Sequence, residues 1–255
     1  MQNLLELSGI SVAFGGIKAL ADVSLAAAAN RVTAVIGPNG AGKTSLFNVI
    51  SGFYPADTGQ VLFAGNDLLK SPAHTRSAMG ISRTFQNIAL FPGMTVEENI
   101  KLGAHAHLRS GLLASALYFG AARREEQAIT RRIGETVLSL LDLRDYRDRS
   151  VSGLPYGVQK RIELARALVT QPKLLMLDEP FAGMPPPEKA KMSSYIRRIV
   201  TETDVTALLI DHDMESIMSM SDHIVVLNFG RVIAAGTPAE IQSDPAVIEA
   251  YLGGE

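Results

Sequence analysis

The stretch Gly37-Pro38-Asn39-Gly40-Ala41-Gly42-Lys43-Thr44 has the form G-x-x-x-x-G-K-[ST]. It follows the apolar run "RVTAVI" and precedes "KTSLFNVI", so the spacing predicts a strand, a glycine-rich loop and a helix in direct succession. Three glycines let such a loop wrap a phosphate with its backbone N–H groups, and the helix start adds partial positive charge. Lys43 can reach the β- and γ-phosphates of a nucleotide, the Thr44 hydroxyl can ligate Mg²⁺, and Ser45 follows in the same first turn. A plain glycine turn before a helix is the competing account. It is weak where strand, loop and helix are all in register.

Phosphate cradling also needs a second metal ligand and a group that activates water. "LLMLDEP" supplies both: an apolar strand delivers Asp178 at its C-terminal end, where ligands gather in open α/β sheets. Asp178 would hold Mg²⁺ through its water shell and Glu179 would polarise the attacking water. His212, in "LLIDHDM", follows the next apolar strand and should emerge on the same edge, within reach of a γ-phosphate. Gln86 ends a short strand in "ISRTFQN"; its amide can bond Mg²⁺ or its water and act as a hinge. Phe14, before Gly15-Gly16, offers an aromatic face to a purine, with burial in the core as the equal alternative. His74, His105, His107 and His223 read as surface histidines, since the His105-x-His107 pair has no third ligand nearby.

The elements that must position these groups are readable from pattern. "LLELSGI", "ALADVSL", "RVTAVIG" and "GQVLFAG" read as strands, with a helix from Lys43 to about Ser51. From Thr95 to about Arg149 the pattern is helical, with Ile129, Ile133, Val137, Leu140 and Leu141 on one stripe. "KLLMLDEP" and "VTALLIDHD" are short apolar runs flanking a helix at 188–203, the mark of a parallel sheet buried on both faces. "DHIVVLNFGRVIAAGTP" reads as a hairpin turning at Asn228 to Gly230. The whole is an α/β core interrupted by a mostly helical insertion.

The 255 residues are 47% hydrophobic and 20% charged, enough for a substantial core. A net charge of −2 gives no global footprint for nucleic acid. With no cysteine, zinc–thiolate sites, disulfides and thiol catalysis are excluded. The N-terminus lacks the basic region of a secretory signal. No apolar run reaches the roughly 18 residues of a membrane helix, "GLLASALYFGAA" at 111–122 being the longest, so the chain is not expected to span a membrane.

One stretch departs from pattern. "GLPYGVQKRIELARAL", residues 153–168, reads as a helix with apolar positions 162, 164, 165, 168 and 169. Leu154-Pro155-Tyr156-Gly157 stands where Ser, Thr, Asp or Asn would ordinarily cap it. Proline suits a first turn because its missing N–H is unpaired there anyway, and glycine permits close approach to the backbone. Taken alone, the stretch is better explained by an ordinary variation of the cap.

Taken together, these motifs resemble the ATP-binding cassette subunits of ABC transporters over almost the whole chain. The resemblance implies a single ABC ATPase domain, 1–255, and an α/β fold. Its P-loop (RecA-like) ATPase core, which would include an antiparallel β subdomain, would cover 1–86 and 171–255, with an inserted α-helical signature subdomain at 87–170. It implies ATP and Mg²⁺ as cofactors. Phe14 then falls in the adenine-stacking loop, 37–44 is Walker A, Gln86 is the Q-loop residue, Asp178 and Glu179 close Walker B, and His212 is the switch histidine. Leu154, Tyr156 and Gly157 fall in the LSGGQ signature, whose backbone N–H groups would face the γ-phosphate of ATP held by an opposite subunit.

"TFQNIALFPGMTVEENI", "LPYGVQKRIELARALVTQPKLLMLDEPFAGM" and "GTPAEIQSDPAVIEAYLGG" narrow the resemblance to the ATPases of branched-chain amino acid importers. The apolar insertion around 108–122 is similar to the longer of their two paired ATPases. Integral membrane permease subunits, a second cassette subunit and, indirectly, a periplasmic amino-acid-binding protein are the implied partners. The implied place is the cytoplasmic face of the inner membrane, with the chain peripheral. A soluble iron–sulfur assembly ATPase and a lipopolysaccharide exporter ATPase are the alternatives. Two departures stand out: Pro155 lies in the signature, and Ala182-Gly183-Met184-Pro185 replaces the usual S-A-L-D, with Pro186 and Pro187 stiffening the helix that follows.

Overall fold

Alternation of apolar and polar residues builds the first sheet. In the computed structural model, which describes residues 2–84, 88–104 and 121–252 (side chains of 121–126 and 252 excepted), β1 (Asn3–Phe14) buries Leu5, Leu7, Ile10 and Val12. It pairs antiparallel with β2 (Ile17–Ala28), and with β4 (Thr58–Phe63), which carries β5 (Asn66–Asp67) on its far side. A register shift between Leu7 and Ile10, at Gly9 with φ +62°, keeps both halves of β1 facing the core.

The second sheet follows the other pattern. β3 (Val32–Ile36), β7 (Leu174–Asp178) and β8 (Thr206–Ile210) are buried at every position, as the unbroken apolar runs require. With β6 (Ile81–Arg83), β9 (His223–Asn228) and β10 (Arg231–Gly236) they form a six-stranded sheet in the order β10-β9-β3-β8-β7-β6. All pairs are parallel except the β9–β10 hairpin, whose two turn residues, Phe229 and Gly230, have φ +43° and +73°. Helix α1 (Lys43–Ser51) buries Leu46, Phe47, Val49 and Ile50 in a core shared with both sheets.

Register decides where chemistry can gather. Val35 pairs with Ile210, Asp178 with Ile210 and Ile36 with Val226. The C-terminal ends of β3, β7 and β8 are therefore flush, and the loops after them leave the sheet at one edge. Pro186 and Pro187 open the helix Pro186–Glu202 in its first two positions, so it starts two residues earlier than its pattern suggests.

The chain divides into two compact units, Met1–Gln86 with Lys173–Glu255, and Asn87–Pro172. In the second, the helices Val96–Ala104 and Tyr156–Leu168 pack together. Gly103 permits this, since a Cβ there would lie 2.1 Å from the Arg166 carbonyl oxygen. Ile133, Val137, Leu140 and Leu141 are buried as expected, and Ile129 is half-buried. The stripe is not carried by one regular helix. After the helix Ala121–Arg132, a π-helical turn at Ile133–Val137 shifts the phase, and Leu138 joins the buried set. The insertion around 108–122 lies almost wholly outside the described residues, as do His105 and His107.

Glu97 ties this unit's chain together. It is 9% exposed, accepts from Arg147 and pairs with Lys101 at 2.8 Å. Burial pushes its carboxyl up, and the bonds and charges of Arg147 and Lys101 outweigh burial, leaving its pKa below the ordinary 4.5. A carboxylate lowered in the folded state contributes stability above its unfolded pKa and loses it as pH falls through the folded one. Glu97→Gln should therefore destabilise the protein at pH 7 by about 1.5–3 kcal/mol. The gap should close in acid, below the ordinary glutamate pKa. Identical urea midpoints for the two proteins at pH 7 would refute this role.

Candidate nucleotide site

Gly37 to Gly42 leave the end of β3 and turn into α1 through three glycines of positive φ, +149°, +80° and +103°. They are not equivalent. A Cβ on Gly37 would sit 2.0 Å from the Leu227 carbonyl oxygen, and one on Gly42 would sit 2.5 Å from that of Ala19. At Gly40 nothing lies within 4 Å. Two glycines thus close the loop on the protein's own backbone, and only Gly40 leaves room toward a ligand, a narrower role than the spacing suggested. The loop is also stitched to the β9–β10 turn, where Gly230 N–H donates to Ala41 (3.0 Å) and Ala21 N–H donates to Gly230 (2.8 Å). Ala41 N–H bonds back to Pro38 at 3.1 Å.

Helix α1 has neither a side-chain cap nor an acid in its first turn, so its N–H groups and dipole stay available to an anion. Lys43 donates from Nζ to the carbonyls of Gly37 (2.6 Å) and Pro38 (2.9 Å), which holds its ammonium against the loop. Burial lowers its pKa, and the charges of Glu179 and Asp211 work against that shift. The cradle at Gly40, the free helix mouth and the ammonium fit a phosphate chain. Thr44 and Asp178 are hard oxygen donors of the kind Mg²⁺ takes.

Asp178 is 7% exposed at the end of β7. The next residue, Glu179, has φ +49° while its N–H donates to Ile210 at 2.9 Å. Left-handed backbone at a non-glycine residue costs about 1–2 kcal/mol, and here it turns the chain sharply where a catalytic acid is expected. One strand over, His212 is 64% exposed in its side chain. Beneath it lies a residue that sequence reasoning passed over. Asp211 is fully buried; its carboxylate accepts from the N–H groups of His212 (2.7 Å), Asp213 (2.9 Å) and Phe181 (3.1 Å). It joins the loops after β7 and β8. The only hint in sequence was an acid closing an otherwise apolar strand, as at Asp178.

Two further groups were also passed over. Arg83 donates to Asp178 Oδ2 at 2.6 Å, and Tyr54 stands edge-on to Phe14 with ring centroids 4.9 Å apart. Phe14 is 45% exposed, so core burial is not its role. Gln86 lies outside the described residues.

In the second unit, the helix Tyr156–Leu168 begins at Tyr156, and Pro155 is its N-cap rather than a first-turn residue. No side chain caps it and no acid lies in its first turn. Leu154 is buried, so its side chain anchors the segment, while its carbonyl accepts from Gln159 Nε2 at 2.8 Å; Tyr156 is exposed. Any contact of Leu154 with a nucleotide would therefore be through backbone.

A buried parallel sheet whose flush edge carries a phosphate loop, two acids and a histidine defines a P-loop nucleotide hydrolase. Residues 20–182 match the ABC transporter family, and residues 231–255 match the family described as branched-chain amino acid ATP-binding cassette transporter. The chain belongs to the ATP-binding subunits of ABC transporters, which hydrolyse ATP in the service of transport. It is 42% identical to BraF of Pseudomonas aeruginosa, a high-affinity branched-chain amino acid transport ATP-binding protein, over 98% of each chain. It is 41% identical to LivG of Escherichia coli K12, similarly named, over 99% of this chain and 98% of that one. A crystal structure of the ADP conformation of an ABC transporter cassette superposes with a TM-score of 0.86 at 34% identity, covering 100% of both chains.

The glycines divide by test. Gly40→Ala should fold with a penalty of about 1–2 kcal/mol from its left-handed backbone. Gly42→Ala adds a collision with the Ala19 carbonyl and should lose considerably more. Thermal melting of both variants decides; equal losses would remove the distinction drawn between the two positions.

Proposed function

We propose that this chain powers an importer of branched-chain or related amino acids, hydrolysing ATP at a site completed by a second cassette. The observation that carries the solute class is likeness along nearly the full chain to BraF and LivG, together with the match of residues 231–255. Among the described residues no helix is long and apolar enough to cross a membrane. Permease subunits would supply the path, a periplasmic binding protein would deliver the solute to them, and this subunit would work peripherally on the cytoplasmic face.

In this reading Asn39, Gly40, Ala41, Gly42 and Ser45 surround the phosphates with backbone and hydroxyl donors, Gly37 and Pro38 shape the loop that carries them, and Lys43 neutralises charge on the outer two. Phe14 stacks on the base. Thr44, Asp178 and Gln86 would hold Mg²⁺, which supplies charge neutralisation to the transferring phosphoryl group. Glu179 takes the proton of the attacking water, and His212 holds the γ-phosphate and that water in line. Leu154, Tyr156 and Gly157 offer their backbone to the nucleotide on the partner cassette. Affinity purification from the native membrane tests the assignment: permease proteins should come with the chain. Recovery with soluble iron–sulfur assembly proteins instead would overturn it.

Point variants separate the roles. Lys43→Ala removes a charge-assisted bond and should weaken ATP binding by about 1.5–3 kcal/mol, read by calorimetry. Glu179→Gln keeps shape but cannot accept a proton, so binding should persist while turnover falls by about 10²–10⁴-fold. Wild-type turnover in that variant would exclude Glu179 as the base. Gly157→Asp should leave the isolated subunit's ATP affinity unchanged and abolish ATP-driven dimerisation, because a carboxylate would face phosphate across the interface. Sedimentation with and without ATP reads this directly.

A further inference from the structure

The two side chains assigned above to Mg²⁺ within the described residues, Thr44 and Asp178, sit on separate elements, α1 and the end of β7. A third element ties them together. Arg83, the last residue of β6, donates from Nη2 to Asp178 Oδ2 at 2.6 Å. From Nη1 it donates to Asn48 Oδ1 at 2.9 Å and to Ser51 Oγ at 3.1 Å, both on α1. The guanidinium carbon lies 5.5 Å from the centroid of the Phe47 ring, also on α1, and 5.8 Å from that of Phe53.

This contact is costly to build. The side chains of Arg83 and Asp178 are 9% and 10% exposed, so both charges have left water, and a buried pair regains that cost only with good geometry and further hydrogen bonds. A hydrophobic pair would fill the same space without that cost. What a hydrophobic pair cannot do is grip a carboxylate with one nitrogen of a rigid fork and a neighbouring helix with the other.

We propose that Arg83 is a positioning residue for the metal: it takes one carboxylate oxygen of Asp178, leaves the other to the Mg²⁺ water shell, and braces Asp178 against α1 so that its spacing from Thr44 is fixed. The inference rests on the assignment of Asp178 to Mg²⁺. Arg83 touches neither nucleotide nor metal in this role. It acts as groups behind metal ligands do, by limiting where the ligand can point.

The test is calorimetric titration of the full chain with ATP across a Mg²⁺ series, reading the Mg²⁺ concentration at which half the gain in ATP affinity is reached. Arg83→Met should leave affinity in EDTA unchanged and raise that midpoint by about 10-fold or more, the usual effect of losing a partner of a metal ligand. Arg83→Lys keeps a charge beside Asp178 without the fork and should fall between. The double variant Asn48→Ala/Ser51→Ala cuts only the helix side, keeps the ion pair and should also raise the midpoint. That variant carries the test if Arg83→Met fails to fold. A midpoint unchanged or lowered in Arg83→Met would mean that the guanidinium merely competes with the metal, and would overturn the brace. Asp178→Asn separates the two readings. If it leaves the Mg²⁺ effect intact, the assignment of Asp178 is wrong. If it abolishes the effect while the Arg83 and Asn48/Ser51 variants do nothing, the brace alone is wrong.

Discussion

Parallel pairing of β3, β7 and β8, with Val35 opposite Ile210 and Ile210 opposite Asp178, sets the place of Lys43, Asp178, Glu179, Asp211 and His212. Three five-residue strands without one exposed residue can only be buried on both faces, and burial fixes their register. Their ends are then level. The loops that leave them, carrying Lys43 on one, Glu179 on the next and His212 on the third, must converge at one edge. No single loop contains the site; the sheet assembles it.

The same burial that fixes register makes the charges at this edge expensive unless each is held. Asp178 is held by Arg83, and Asp211 by three backbone N–H groups. Lys43 is drawn to the same place by Glu179 and Asp211 while burial acts against its charge. A cation held against carbonyl oxygens and facing carboxylates is well placed to trade those contacts for a phosphate chain, because the trade costs little desolvation that has not already been incurred.

Much of this was legible because its signals are local. The phosphate loop spans eight consecutive residues, and apolar runs ending in acids marked the strands and the edge where their loops emerge. What was not legible depends on distant partners. Arg83 and Asp178 are 95 positions apart, Phe181 and Asp211 are 30 apart, and each of these residues is ordinary in its own neighbourhood. The left-handed Glu179 is invisible for another reason: nothing in glutamate's type announces it, and the surrounding hydrogen bonds impose it. The π-turn at Ile133–Val137 escaped because a regular helix satisfies the same apolar spacing nearly as well.

Helix starts carry the last part of the argument. The helix Val96–Ala104 has Glu97 and Glu98 in its first turn, and Pro186–Glu202 has Glu188. Met214–Met220 is capped by Asp213 and carries Glu215, and Pro238–Ser243 has a full capping box of Thr237 and Glu240. Each of these brings negative charge to the positive end of the helix, which stabilises it and repels an incoming anion. Helix α1 and the helix Tyr156–Leu168 have neither device, and a glycine and a proline stand at their caps. Each forgoes roughly 0.5–2 kcal/mol that an ordinary cap would contribute. Bareness alone does not mark a phosphate site, since the one-turn helix Ala73–Arg76 also lacks a side-chain cap and a first-turn acid; these two are the mouths that the proposed function gives to phosphate, one to this subunit's nucleotide and one to its partner's. The oddity of Leu154-Pro155-Tyr156-Gly157 and the uncapped start of α1 then fit one proposal: a bound phosphate would itself be the cap, with Gly40 leaving it room while Gly37 and Gly42 close the loop on the protein's own backbone.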